Sequence, residues 1–267
     1  MLNKNTHILN EAVITITSDW GNRDYYRAAV EGALLKRIPG CRIIAVSHEI
    51  SCFDMLEASY TLRNAWQNFP DGSIHIMAVR SEASIEHQHV LVVYGNHYFI
   101  GADNGIFGLL FDEKPEKIIA IDIHQDSSVF TFPSRDVFVP VAAHISEGKN
   151  IEELGQVQTS FKEHIPYKPV IEKDLIKGIV IHIDRYGNAI TNITQAQFKK
   201  IAKNRRFEIQ TNRNSVNRVV EAYDDVPEGE MLAVFGSTGL LEIAINQGRA
   251  KDLLGVKFKD TIRIEFE

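Results

Sequence analysis

Apolar runs and amphipathic segments alternate through the first eighty residues, and this pattern restricts the fold more than any other feature. Ala12–Ser18 (AVITITS) reads as a buried strand that ends in polar residues. Asp24 can cap a following helix. On that helix Tyr26, Ala29, Val30, Ala33 and Leu34 fall at i, i+3, i+4, i+7 and i+8, one apolar face. Pro39-Gly40 stops it, and Cys41–Ser47 makes a second strand. Asp54 and Glu57 have the spacing of a capping box, which opens a second helix running to about Asn68. Pro70-Asp71-Gly72 then turns the chain into a strand at Ile74. A β-α-β-α-β order implies a parallel sheet with helices packed on it, because parallel neighbours need a long crossover.

Val90–Tyr94 and Tyr98–Gly101 read as short strands around Gly95-Asn96, and Ala102-Asp103-Asn104-Gly105 as a turn. Lys117–Ile121 reads as a strand, and Asp136 precedes a helix that tolerates Pro140 in its first turns. Residues 151–176 are polar, carry Pro166 and Pro169, and have no period, which predicts a linker. Beyond them Gly178–Ile183, Arg206–Gln210, Val219–Tyr223, Met231–Phe235, Leu240–Ile245 and Thr261–Phe266 are strand-like, and only Thr194–Lys203 is helical in pattern. The expected fold is therefore an α/β N-terminal domain over 1–150, with a mainly parallel sheet and flanking helices, and a smaller all-β barrel domain over 177–267.

The formal net charge of -6, with no Lys/Arg run, argues against a nucleic-acid partner. No apolar run approaches the roughly 18 residues of a membrane span. The N-terminal residues lack an apolar signal core. The two cysteines, Cys41 and Cys52, lack CxxC spacing and read as reduced thiols, so the expected location is cytoplasmic. There is no GxGxxG, Walker A or GxSxG motif.

In open α/β sheets, ligands bind at the loops beyond the C-terminal ends of the strands. Three such loops are rich in polar residues. In the first, Asp19 can accept hydrogen bonds from a ribose diol or simply cap a turn. In the second, Phe53 can stack on a ring or join the core. The third holds Arg80, Ser81, Glu82, Ser84, Glu86 and His87. His87 and His89 alternate and, with His75, could face a metal, but a zinc site needs three or four ligands and no clear further one is supplied. Further on, Asp184, Asn188 and Asn192 could bind an amino acid or a base edge, or form an Asn-rich hairpin.

Taken in order, several motifs form one series. They are Ser18-Asp19-x-Gly21, Ser47-His48-Glu49-Ile50 with Phe53-Asp54, and Phe69-Pro70-Asp71-Gly72. Gly101-Ala102-Asp103-Asn104-Gly105, Thr131-Phe132-x-Ser134-Arg135-Asp136 and Ile183-Asp184-x-Tyr186-Gly187-Asn188-x-x-Thr191-Asn192 follow. The series resembles the S-adenosyl-L-methionine (SAM) hydroxide adenosyltransferases, relatives of the fluorinase and chlorinase, from about Ala12 to Glu267. The resemblance implies a homotrimer that binds SAM between subunits, with no metal or other cofactor. It implies that Asp19 holds the ribose diol, that Phe53 and Phe132 flank the nucleoside, and that Asp24 and Asp184 hold the methionine ammonium. Asn188 falls on the adenine side, with Tyr223, Ser237 and Thr238 near it. Thr238 stands where the halogenating relatives have an arginine.

The reaction so implied is displacement at ribose C5′ with methionine leaving. The sulfonium is already activated, so the protein has mainly to desolvate and align the nucleophile. The hydrolytic members are taken to position water with an Asp, an Arg and a His. Here those positions are Arg80, His87 and Pro133. Ser134 instead matches the halogenases' serine. Three readings therefore stand: a SAM hydrolase using Arg80, Ser81, His87 and Ser134; an adenosyltransferase to a halide or other anion; and a SAM- or adenosine-binding protein without turnover.

Overall fold

A computed structural model describes residues 11–84, 86–125, 128–162, 164 and 167–267. The chain divides into two compact units, Met1–Ile165 and Pro166–Glu267.

The first unit contains β1 (Val13–Ser18), α1 (Tyr26–Arg37), β2 (Arg42–Ser47), α2 (Met55–Arg63), β3 (Ile74–Ala78), β4 (His89–Tyr94), β5 (His97–Ala102), α3 (Ile106–Leu110), β6 (Lys117–Ile121), α4 (Val139–Ser146) and β7 (Gly155–Gln158). The strands form one sheet in the order β2-β1-β3-β5-β4-β6-β7. Its first half is parallel, as the alternating pattern predicts. Its second half is antiparallel, because Gly95-Asn96 closes a tight hairpin between β4 and β5 and the chain then returns along β6 and β7. The sheet is thus mixed, not mainly parallel. Both faces are covered. Ile14, Ile16, Ile74 and Ile76 pack with Val30 and Leu34 of α1 and Val141 of α4. Met77, Val92 and Phe99 pack on the other side with Leu62 of α2 and Phe107 of α3.

Helix ends differ in detail from the sequence pattern. Asp54 caps α2, accepting from the N–H groups of Leu56 and Glu57, but Glu57 binds the Ser51 N–H and does not close a capping box. Asp24 does not cap α1, whose first residue follows Tyr25 without a side-chain cap. Asp136 lies inside a single π-helical turn, Ser134–Phe138, that runs into α4. Residues 151–158, expected in the linker, form a short turn and the edge strand β7 paired with β6.

The second unit contains β8 (Val170–Ile171), β9 (Leu175–Ile183), β10 (Ala189–Thr194), α5 (Gln195–Ala202), β11 (Phe207–Gln210), β12 (Ser215–Val216), β13 (Met231–Phe235), β14 (Leu240–Ile245), α6 (Ala250–Leu253) and β15 (Thr261–Phe266). The strands make one eight-stranded sheet along β12-β11-β15-β9-β10-β14-β13, with β8 beside β9. Every ladder in it is antiparallel. The unit is β-rich but not all-β, because α5 and α6 interrupt it. Thr194 and Gln197 form a reciprocal capping box at the start of α5. Val219–Tyr223 is not a strand; Val220 makes one bridge to Val234, and a short helical turn starts at Tyr223.

Candidate active site

Register decides where the polar loops of the first unit meet. Ser18 lies opposite Ala78, and Thr17 opposite Ser47, at the C-terminal ends of parallel strands. Ile76 pairs with Ile100, so β5 ends at the same edge. The loops after β1, β2, β3 and β5 therefore open on one side of the sheet, as the fold type requires.

Backbone and side-chain bonds hold the first two loops together. The Phe53 N–H donates to Asp19 Oδ2 at 2.8 Å, and the Gly21 N–H donates to the His48 carbonyl at 2.7 Å. Phe53 has φ of 65°, which turns its ring outward, 68% exposed. Among the described residues Asp19 Oδ1 has no hydrogen-bond partner, so one carboxylate oxygen braces the loop and the other remains available. Beneath them Ser18 Oγ and His48 Nδ1 lie 2.6 Å apart, and Trp20 stacks on the His48 ring. Burial, then the charge of Arg27, holds His48 below its ordinary value and hence neutral. Asp24 is exposed at the head of α1.

The third loop leaves β3 through Val79 and turns at Arg80, an exposed residue with φ of 48°. The buried Asn104 amide braces this turn: Nδ2 donates to the Arg80 carbonyl at 3.0 Å, while Oδ1 accepts from the Ile106 N–H. Ser134, fully buried, donates to Ser81 Oγ at 3.2 Å and so joins this loop to the π-helical turn before α4. His87 points elsewhere, with Nδ1 3.2 Å from the Asp103 carbonyl. The Asp103 carboxyl is raised by burial, against the pull of a bond from the Lys162 N–H. Pro133 is buried. Phe132 is not an open platform; its ring is 8% exposed, edge-on to Trp20 and Tyr26, with the Arg135 guanidinium over it.

The three histidines weighed as metal ligands do not converge. His75 bonds Thr15 and His97, His87 faces the Asp103 carbonyl, and His89 Nε2 lies 2.8 Å from the Ser81 carbonyl. Among the described residues no group of three or more His, Cys, Asp or Glu side chains gathers as donors.

In the second unit the Asp184 carboxylate accepts from both the backbone and the side-chain nitrogen of Asn188, at 2.8 and 3.1 Å. Gly187, at φ of 85°, makes the turn between them; a Cβ there would meet Arg249 at 2.9 Å. Asn192 is structural, accepting from the Ile179 N–H and donating to the Tyr167 carbonyl. Ser237 and Thr238 occupy the β13–β14 turn, where Thr238 Oγ1 accepts from the Leu240 N–H. Sequence reasoning missed Glu242, a carboxyl only 7% exposed on β14, an interior strand beside the edge strand β13. It accepts from the Tyr223 hydroxyl at 2.7 Å, and burial pushes it up while that bond lowers it. A lone Glu amid LLEIAI was the available signal.

Residues 14–155 match the SAM hydroxide adenosyltransferase N-terminal domain, and residues 178–263 match the C-terminal domain of the same family. The chain belongs to the SAM hydroxide adenosyltransferase family. It is 31% identical to the (R)-S-adenosyl-L-methionine hydrolase of Thermus thermophilus, over 92% of this chain and 97% of that one. It is 29% identical to the enzyme of the same name from Methanocaldococcus jannaschii, over 94% and 95%. A crystal structure of an uncharacterized conserved protein from Thermotoga maritima superposes with a TM-score of 0.86 at 30% identity, covering 94% of this chain and 99% of that one. No helix among the described residues is long and apolar enough to cross a membrane.

Proposed function

We propose that this protein binds SAM and cleaves it by attack of water on ribose C5′, releasing adenosine and L-methionine. The observation that carries the reading is the family match across both units, joined to relatives named as SAM hydrolases along nearly their whole length. In this reading Asp19 Oδ1 takes the ribose diol, Phe53 packs beside the nucleoside, and Asp24 and Asp184 hold the methionine ammonium. Asn188, Tyr223, Ser237 and Thr238 lie toward adenine. Ser134 and Ser81, with Arg80, form the nucleophile side; His87, turned to the Asp103 carbonyl, stands outside it. The reaction needs no metal or redox cofactor, because the sulfonium is itself the leaving group. The assembly proposed with it is a cytoplasmic homotrimer.

The test is incubation of purified protein with SAM and chromatography of the products. Adenosine and methionine in equal amounts above the protein-free control support the reading; no adenosyl product overturns it. Light scattering tests the assembly, expected at three times the 30.2 kDa chain.

A second reading, a binding protein without turnover, draws on Arg80, His87 and Pro133 at the positions where the hydrolytic pattern has Asp, Arg and His. It predicts a thermal shift with SAM or adenosine and no product.

A further inference from the structure

An open pocket of about 330 Å³ lies between the third loop and the segment that leads into α4. Its walls include Ala83 from the third loop, His89 at the start of β4, Asp122 just past β6, and Pro133 and Val137 before α4. That volume holds on the order of ten waters. His89 is the imidazole on its wall. The ring packs edge-on to Phe138, with centroids 5.1 Å apart.

The tautomer of His89 follows from its partner. The Ser81 carbonyl can only accept, so His89 Nε2, 2.8 Å away, carries the proton. Nδ1 is then the basic atom, and among the described residues it has no hydrogen-bond partner. It is not among the solvent-inaccessible orphan atoms, which are Thr17 Oγ1 and His48 Nε2. Burial lowers the His89 ring below its ordinary value of 6.5, so it is neutral at pH 7; the bond to Ser81 opposes this. Asp122 is the carboxylate on the cavity wall. His87, two residues away, is instead turned to the Asp103 carbonyl.

We propose that the cavity stores the attacking water and that His89 Nδ1 is its general base. This rests on the reading of the protein as a SAM-cleaving enzyme. Water oxygen forms the bond to C5′ while the C5′–sulfur bond breaks, its electron pair leaving with methionine. The water proton passes to His89 Nδ1, and the imidazolium later releases it to solvent. The Ser134 hydroxyl bonds Ser81, and the Ser81 carbonyl bonds His89, so the base is fixed to the loop on the nucleophile side.

The experiment compares wild type, His89→Gln and His87→Gln in SAM turnover across pH 5 to 8. A positioned base contributes about 10²–10⁴-fold. His89→Gln should therefore lose at least about 100-fold in kcat with KM for SAM changed less than about threefold. Wild type should fall off on the acid side, below the ordinary histidine range; His89→Gln should be flat there, and His87→Gln should keep the fall. Added imidazole should restore part of the rate of His89→Ala, a second variant that covers misfolding of the first. If wild type turns over SAM and His89→Gln keeps pace, or imidazole rescues nothing, His89 is not the base. If wild type itself releases no adenosine, both the base and the reading beneath it fall.

Discussion

The Tyr223 hydroxyl donates to Glu242 Oε2 at 2.7 Å, across a carboxyl that fills the space where a side chain at position 236 would stand. A Cβ on Gly236 would lie 1.8 Å from Glu242 Oε1. Gly236 is therefore required by the carboxyl, and the carboxyl orders a tyrosine beside the β13–β14 turn. Because Glu242 is raised above its ordinary 4.5, its contribution to stability is complete below that value and is lost as pH rises through the folded value. Glu242→Gln should remove this dependence, so that melting temperatures of variant and parent diverge upward from about pH 5. Tyr223→Phe should cost about 1 kcal/mol in a denaturant titration. Parallel melting profiles for Glu242→Gln and the parent would contradict the account.

Acid should act on the first unit through His75. This side chain is fully buried, 2.7 Å from Thr15 Oγ1 and 3.1 Å from His97 Nδ1, and burial, then His97, lowers it to about 3. A depressed histidine contributes stability that is present above its unfolded value near 6.5 and is lost as pH falls toward the folded value. The loss should be several kcal/mol at most, starting below pH 6.5. His75→Gln stays neutral and keeps hydrogen-bonding atoms. Its urea midpoint should move less between pH 7 and pH 5 than that of the parent.

Arg80 offers a separation of stability from activity. A left-handed non-glycine residue costs about 1–2 kcal/mol, and glycine costs about 0.5–1 kcal/mol of chain entropy. Arg80→Gly should therefore melt no lower than the parent. Its SAM turnover should fall at least about tenfold in the proposed function. A variant that is both stable and fully active removes Arg80 from the reaction.

Asp19 is expected to matter twice, as brace for Phe53 and as a ligand for ribose. Asp19→Ala loses both, and adenosine affinity measured by calorimetry should drop by about 100-fold, near the worth of two charged hydrogen bonds. Asp19→Asn keeps an acceptor for the Phe53 N–H and should lose less, about tenfold. Equal losses would mean that the brace carries none of the effect.

Where the pattern is periodic, sequence and structure agree closely. The face of α1 is carried by Val30 and Leu34, and β1 and β3 are buried almost throughout, as strands covered on both faces. The antiparallel half of the first sheet was not legible, because strand direction is set by connections, and Gly95-Asn96 was seen as a turn without its topological result. The ends of α1 and α4 also departed from the pattern. Asp24 and Asp136 have cap-like positions, but Asp136 pairs with Arg135 and the helix begins after a π turn. Motif order singles out Asp19, Asp184 and Asn188, and the structure shows Asp19 bracing Phe53 and Asp184 accepting from Asn188. The histidines were not legible: His87 and His89 share a spacing, and only the carbonyls of Asp103 and Ser81 tell them apart.

The two thiols have opposite accessibility. Cys41 is buried, and burial raises it, so it is a poor nucleophile twice over. Cys52 is exposed and directly precedes Phe53. A maleimide fluorophore added to the unmodified chain would therefore label one position, on the loop that Asp19 holds. The natural sequence thus already contains a single-site optical reporter of ligand arrival.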